Sequence, residues 1–160
     1  MVVWQSYGSS GGDTSYWSVQ GQRYMSSGPP AGSEFQVNAY TTDDQSFPAI
    51  TMDPDGDFVV VWKNGNSLAS ESIQGQRYRA NGAPAGSAFQ ANSYTTGEHR
   101  SPAIAADSNG DFVVVWMSGE ASGSDPLWSI QGQRFRVTGD SQGRVFWDQD
   151  VDGIQDGSEP

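Results

Sequence analysis

The sequence predicts an all-β protein assembled from repeated four-stranded antiparallel units, on three observations. One phrase occurs three times, as Val19-Gln20-Gly21-Gln22-Arg23-Tyr24, Ile73-Gln74-Gly75-Gln76-Arg77-Tyr78 and Ile130-Gln131-Gly132-Gln133-Arg134-Phe135. A longer register, Gly28 to Thr42, returns as Gly82 to Thr96, and Asp57-Phe58-Val59-Val60-Val61-Trp62 returns as Asp111-Phe112-Val113-Val114-Val115-Trp116, both at an offset of 54 residues. No window carries helical periodicity, whereas short runs of Val, Ile and aromatic residues bounded by Gly, Pro, Asn and Asp recur throughout. A fixed internal period means that one supersecondary unit is stacked on copies of itself.

The second period shows the four strands in order. Pro48 to Met52 is the first, and Asp55-Gly56 separates it from the second, Phe58 to Trp62; the next copy has Asn109-Gly110 at that turn. Asp-Gly and Asn-Gly between apolar runs are strong hairpin signals, because both tolerate the left-handed backbone of a tight turn. The Phe58 to Trp62 run is apolar at every position, which a strand requires only when both faces are buried. Ser72 to Arg79 and Phe89 to Tyr94 alternate in polarity and read as half-buried third and fourth strands.

Four antiparallel strands per period make the unit of a β-propeller blade, whose sheet packs face to face with its neighbours. About two and a half units fit between residues 1 and 138, fewer than the ~4–8 blades of a closed ring. The expectation is an incomplete arc of blade-like sheets, with a tandem of β-sandwiches or an open β-stack as alternatives. Met1 leads directly into Val2-Val3-Trp4, which matches the end of Phe58 to Trp62. The chain therefore reads as a fragment whose export signal would lie upstream, with open sheet edges that invite self-association.

Composition narrows the function classes. Nineteen acids against eight Lys and Arg give a net charge of −11, which repels phosphate backbones and anionic membranes and attracts divalent cations. No apolar run is long enough to insert into a bilayer, so neither nucleic acid nor a membrane is an expected partner. The absence of Cys excludes disulfides, thiolate metal sites and a cysteine nucleophile. Six of the acids fall in the last 21 residues, beside a single Arg144, so part of the charge is local.

That local cluster, residues 139–160, carries the clearest site chemistry. Asp148-x-Asp150-x-Asp152-Gly153, followed by five residues and Glu159, fills the twelve-position calcium-loop template. Asp148, Asp150 and Asp152 would supply side-chain oxygens, and Gly153 permits the sharp turn. Ile154 would offer its carbonyl, Asp156 would act directly or through water, and Glu159 would close the site with two oxygens. Oxygen ligands without His or Cys select a hard cation, and calcium is the expected cofactor. Val145-Phe146-Trp147 reads as a strand, so this would be an EF-hand-like loop outside the EF-hand fold. Turns at Asp53 to Asp57 and Asp107 to Asp111 lack the closing Glu, and a hairpin explains them fully.

Three resemblances follow from these motifs. Residues 1–137, with phrases such as Asp55-Gly56-Asp57-Phe58-Val59-Val60-Val61-Trp62 and Glu34-Phe35-Gln36-Val37-Asn38, resemble a tandem repeat of very large secreted or surface bacterial proteins that also carry RTX-type and cadherin-like modules. This resemblance implies an extracellular or cell-surface setting and a structural or adhesive role. Residues 143–160 resemble the opening of a calcium-binding B repeat of the serine-aspartate adhesin type, and imply calcium at the junction to a following module. The Asp-Gly-Asp-Phe-Val-Val-Val-Trp phrase also resembles the Asp-box hairpin of sialidase propellers, a structural element.

The loops between second and third strands vary in length, and two end on an aromatic, Trp17 and Trp128, where the middle copy has Glu71. Variable loops on a fixed frame are where recognition concentrates, so a carbohydrate-binding module using Trp17 and Trp128 is the alternative to a calcium-stiffened adhesive repeat. Glycans or a cell-surface or matrix protein are the corresponding partners. An enzyme is not expected. The one histidine, His99, aligns with Gln45 in a polar stretch that reads as a surface loop, and no nucleophile or metal-ligand pattern includes it. Arg23, Arg77 and Arg134 recur in every copy, which suits a structural role.

Overall fold

The computed structural model describes residues 1–8, 16–65, 71–119 and 128–137, together with the backbone of residues 145–147. These residues form three antiparallel sheets and no helix. The first sheet holds β1 (Val2–Tyr7), β2 (Trp17–Gln22) and β3 (Phe35–Gln36). The second holds β4 (Gln45–Met52), β5 (Phe58–Asn64), β6 (Ser72–Tyr78) and β7 (Phe89–Gln90). The third holds β8 (His99–Ala106), β9 (Phe112–Gly119), β10 (Trp128–Val137) and β11 (Val145–Trp147). Within each sheet the spatial order follows the chain, the up-and-down arrangement of a propeller blade. All-β, blade-like units are thus the architecture that the repeat predicts.

The hairpin turns form where Asp-Gly and Asn-Gly stand. Gly56 and Gly110 adopt φ of 87° and 84°, and each amide bonds back to Asp53 or Asp107. The Asp53 carboxylate accepts the amides of Asp55 and Asp57, and Asp107 does the same for Asn109 and Asp111. These acids are therefore occupied as turn acceptors. Arg77 pairs with Asp57 at 3.1 Å, Arg134 with Asp111 at 3.7 Å, and Arg23 reaches across to the Ala80 carbonyl at 3.0 Å.

The first and fourth strands of the repeat depart from their predicted bounds for physical reasons. β4 starts at Gln45, before the apolar run, and its pairing with β5 skips from Ser46 to Ala49. Pro48 has no amide to donate, so a bulge with Phe47 at φ 53° absorbs it on this edge strand. β8 repeats the device with Ser101 at φ 52° before Pro102. The fourth strand, expected over Phe89 to Tyr94, contains only Phe89 and Gln90. Beyond them a side chain takes over from the ladder, because Asn92 Oδ1 accepts the Ile73 amide at 2.8 Å.

The cores lie between sheets. Even-numbered residues of β5 (Phe58, Val60, Trp62) face the first sheet and meet Val3, Val19, Phe35 and Val37. Odd-numbered Val59 and Val61 face the third sheet and meet Phe112, Val114, Trp116 and Phe135. Burying a side chain such as Phe58 contributes roughly 1.5–3 kcal/mol. Phe89 lies directly over Gly75, where a Cβ would come within 2.4 Å of its ring, so the Gly of the Gln-Gly-Gln-Arg phrase is the seat of the fourth-strand Phe. Burial on both faces holds for β5. It fails for β9, where Val113 and Val115 are exposed, because none of the described elements covers that side.

Candidate binding clefts between successive sheets

The Phe-Gln-x-Asn-x-Tyr phrase that follows the third strand in the first two copies, after β2 and β6, builds a side-chain-braced turn. Gln36 Nε2 donates to the Asn38 carbonyl at 2.9 Å, and Gln90 Nε2 to the Asn92 carbonyl at 2.7 Å. Asn38 accepts the Val19 amide and donates to the Tyr40 carbonyl; Asn92 does the same for Ile73 and Tyr94, all at 2.7–2.8 Å. Each buried Asn therefore ties the turn to the third strand on one side and fixes the backbone of an exposed tyrosine on the other.

Each tyrosine borders a cleft at a sheet boundary. Between the first and second sheets, Tyr40, Ala39, Trp62, Asn64, Gln74 and Ala88 line a space of about 250 Å³. Between the second and third, Tyr94, Asn92, Trp116, Ser118, Gln131 and Gln133 line one of about 200 Å³. Tyr40 and Tyr94, Trp62 and Trp116, Asn64 and Ser118, and Gln74 and Gln131 are repeat equivalents. The same cleft is thus made twice. Trp116 Nε1, buried at the second cleft, has no hydrogen-bond partner among the described residues. The accessible apolar surface at each cleft is the tyrosine ring, since Trp62 and Trp116 are 3% and 6% exposed; with the glutamine side chains and the Trp116 indole N–H this suits a small polyhydroxylated ligand better than an ion.

His99 also lines the second cleft, and here the sequence expectation is corrected. It opens β8 and is 1% exposed, a core residue rather than a surface one. Its Nδ1 lies 3.2 Å from Ser118 Oγ, in the place where Gln45 donates to Asn64 one repeat earlier at 3.1 Å. Burial holds the imidazole pKa below its ordinary value, opposed by the Glu71 charge and by the carbonyls of Thr96 and Tyr94. Glu71 is itself buried. It pairs with Lys63 at 2.7 Å and Arg100 at 3.6 Å, and accepts the His99 backbone amide rather than its ring. A Ser-His contact of this kind lacks the ring-to-carboxylate bond of a catalytic triad.

The two tryptophans singled out by sequence lie at the same end of the stack as the clefts but on different sheets. Trp17 starts β2, exposed, with its ring edge-on to Tyr7 at 5.4 Å. Trp128 starts β10, exposed, beneath the Arg100 guanidinium at 5.6 Å. Neither lines either of these two clefts. Asp148, Asp150, Asp152, Ile154, Asp156 and Glu159 lie outside the described residues. Among the described residues no cluster of His, Asp and Glu is arranged to hold a metal. The tyrosines and the inward-facing tryptophans were missed as site residues, although Tyr40 and Tyr94 recur in register; apolar strand residues read as core from sequence.

No family model matches the chain, and no curated protein matches it. Among solved structures, the chain is similar to a thermostable family-43 glycoside hydrolase (TM-score 0.48, 11% identity), covering 88% of this chain and 50% of that one. It is also similar to a xylan β-1,4-xylosidase from Bacillus Halodurans C-125 (TM-score 0.49, 15% identity), covering 89% of this chain and 29% of that one. The chain spans half or less of the length of either structure.

Proposed function

We propose that this chain is a non-catalytic carbohydrate-binding repeat module, in which each sheet boundary holds one unit of a polymeric glycan. The observation that carries the reading is the recurrence of one Tyr-Trp-Gln cleft at two successive boundaries. Sugar rings present an apolar face to aromatic side chains and hydroxyls to amides, and the cleft supplies both. At 200–250 Å³ each cleft is smaller than the roughly 300–1,000 Å³ of drug-sized sites. A series of small equivalent clefts suits a ligand that itself repeats. Trp17 and Trp128 flank the series as outer stacking platforms. The non-catalytic part rests on the state of the titratable groups nearby, since Glu71 is engaged by two cations and His99 replaces a glutamine. The test is an immobilised-glycan array followed by calorimetry. Wild type is expected to retain a polymeric glycan and Tyr40→Ala, Tyr94→Ala to lose it; absence of retention across the array overturns the reading.

A second reading is kept for the chain end. We infer from the complete twelve-position pattern, Asp148 to Glu159, that the terminal loop binds calcium and stiffens the junction to a following module. The surface-protein resemblance of the repeat supports an extracellular setting for both activities.

A further inference from the structure

The two outward faces of the stack match the two halves of its internal interfaces. On β9 and β10 the aliphatic residues turned away from the second sheet are Val113, Val115, Met117 and Ile130, all exposed, with Arg134 on the same face. One repeat earlier, Val59, Val61, Lys63 and Ile73 hold these positions and are buried against the third sheet; Ile130 is 70% exposed and Ile73 0%. At the opposite end, Val2 of β1 and Tyr24 just beyond β2 are exposed, whereas their equivalents Val60 and Tyr78 are buried; Gln20 and Gln22 on that side are already covered. Tyr24 is 46% exposed and Tyr78 3%. Tyr78 shows what the position does when covered. It stacks on Phe58 at 5.0 Å and donates its hydroxyl to the Val37 carbonyl of the first sheet at 2.8 Å.

We propose that these faces dock on one another between copies of this chain, the first sheet of one molecule seating on the third sheet of the next. The occupant is argued from the repeat itself: each internal boundary already joins the same two kinds of face. None of Val2, Tyr24, Val113, Val115, Met117 and Ile130 carries a charge, and Arg134, which shares the β10 face with Ile130, is paired with Asp111. The contact is heterologous, and each copy added leaves the same two faces free, so association continues into a ring or a filament. β4 and β8 enlarge the internal boundaries, contributing Ile50 and Ile104. The first sheet has no strand on that side of β1 among the described residues, so the intermolecular contact is smaller and depends on concentration.

Sedimentation velocity of the full chain over a concentration series tests this, with Ile130→Lys blocking one face and Tyr24→Lys the other. The wild type is expected to grow in mass with concentration, and each variant alone to stay monomeric. Their equimolar mixture is expected to form a dimer of doubled mass that grows no further, because each supplies the face that the other lacks. That dimer also reports that both variants fold; Val2→Lys replaces Tyr24→Lys if circular dichroism shows the latter unfolded. A monomeric wild type throughout, a mixture that stays monomeric, or single variants that associate as wild type each overturn the proposal, the last in favour of pairing through strand edges.

Discussion

His99 and Ser118 form, by a 3.2 Å contact between Nδ1 and Oγ, the buried pair that Gln45 and Asn64 form one repeat earlier. Both partners differ between the copies while the positions and the contact persist. The pair gives the second boundary a titratable group that the first lacks, with a consequence for pH.

Because burial holds the folded imidazole below its ordinary value of 6.5, the unfolded chain takes up a proton first as the pH falls. The part of the stability that His99 governs is therefore complete above about pH 6.5 and declines below it, until the folded ring itself titrates. Urea unfolding of the wild type at pH 5 and pH 8 is expected to show this loss. The double variant His99→Gln, Ser118→Asn, which recreates the earlier pair, is expected to lack the His99 part of it. Identical pH dependence in the two proteins would contradict the assignment.

Asn92→Ala removes the acceptor of the Ile73 amide and the donor to the Tyr94 carbonyl. Leaving buried backbone groups unpaired costs about 1–3 kcal/mol. Chemical denaturation should report that loss. Glycan affinity should fall as well, since the Tyr94 turn loses its brace.

Gly75→Ala and Gly132→Ala change the same repeat position in two surroundings. At Gly75 the new methyl meets the Phe89 ring at 2.4 Å, so overpacking of about 1–3 kcal/mol is expected. At Gly132 the nearest atom is a methyl of exposed Val115 at 3.2 Å, which can move aside. That variant should stay within about 0.5 kcal/mol of wild type. Thermal melts of the two proteins side by side give the comparison.

Glu71→Ala strands the buried Lys63 ammonium, and removing one member of such a pair costs about 3–5 kcal/mol. Replacing both, as Lys63→Met with Glu71→Leu, removes the charge together with its partner and should recover most of the loss. Denaturant midpoints of the single and double variants decide this; equal losses would show that the pair is not coupled.

Calorimetric titration with calcium is expected to show saturable one-site binding in the wild type, and none after Asp148→Ala with Asp152→Ala. Chelation of the metal should reverse the heat-stability change that accompanies binding. Binding that survives both substitutions would place the cation elsewhere.

Much of the fold was legible in the chain. The period, the Asp-Gly and Asn-Gly turns and the Phe-Val-Val-Val-Trp strand are local signals, because turn chemistry and alternation act between near neighbours in sequence. The cleft was less legible. Tyr40 recurs visibly as Tyr94, but its neighbours Trp62 and Trp116 sit inside strands that read as core, and only sheet stacking places a rim tyrosine beside them.

By itself, then, the sequence determined the repeat, its strands, the hairpin turns and the acidity of the chain end. Tertiary structure alone decided that His99 is buried, that Phe89 seats on Gly75, and that one valine-rich strand is covered on both faces while its copy is covered on one. The reason is physical. A residue's burial is set by the sheet that packs over it, and identical phrases such as Val59-Val60-Val61 and Val113-Val114-Val115 meet different neighbours.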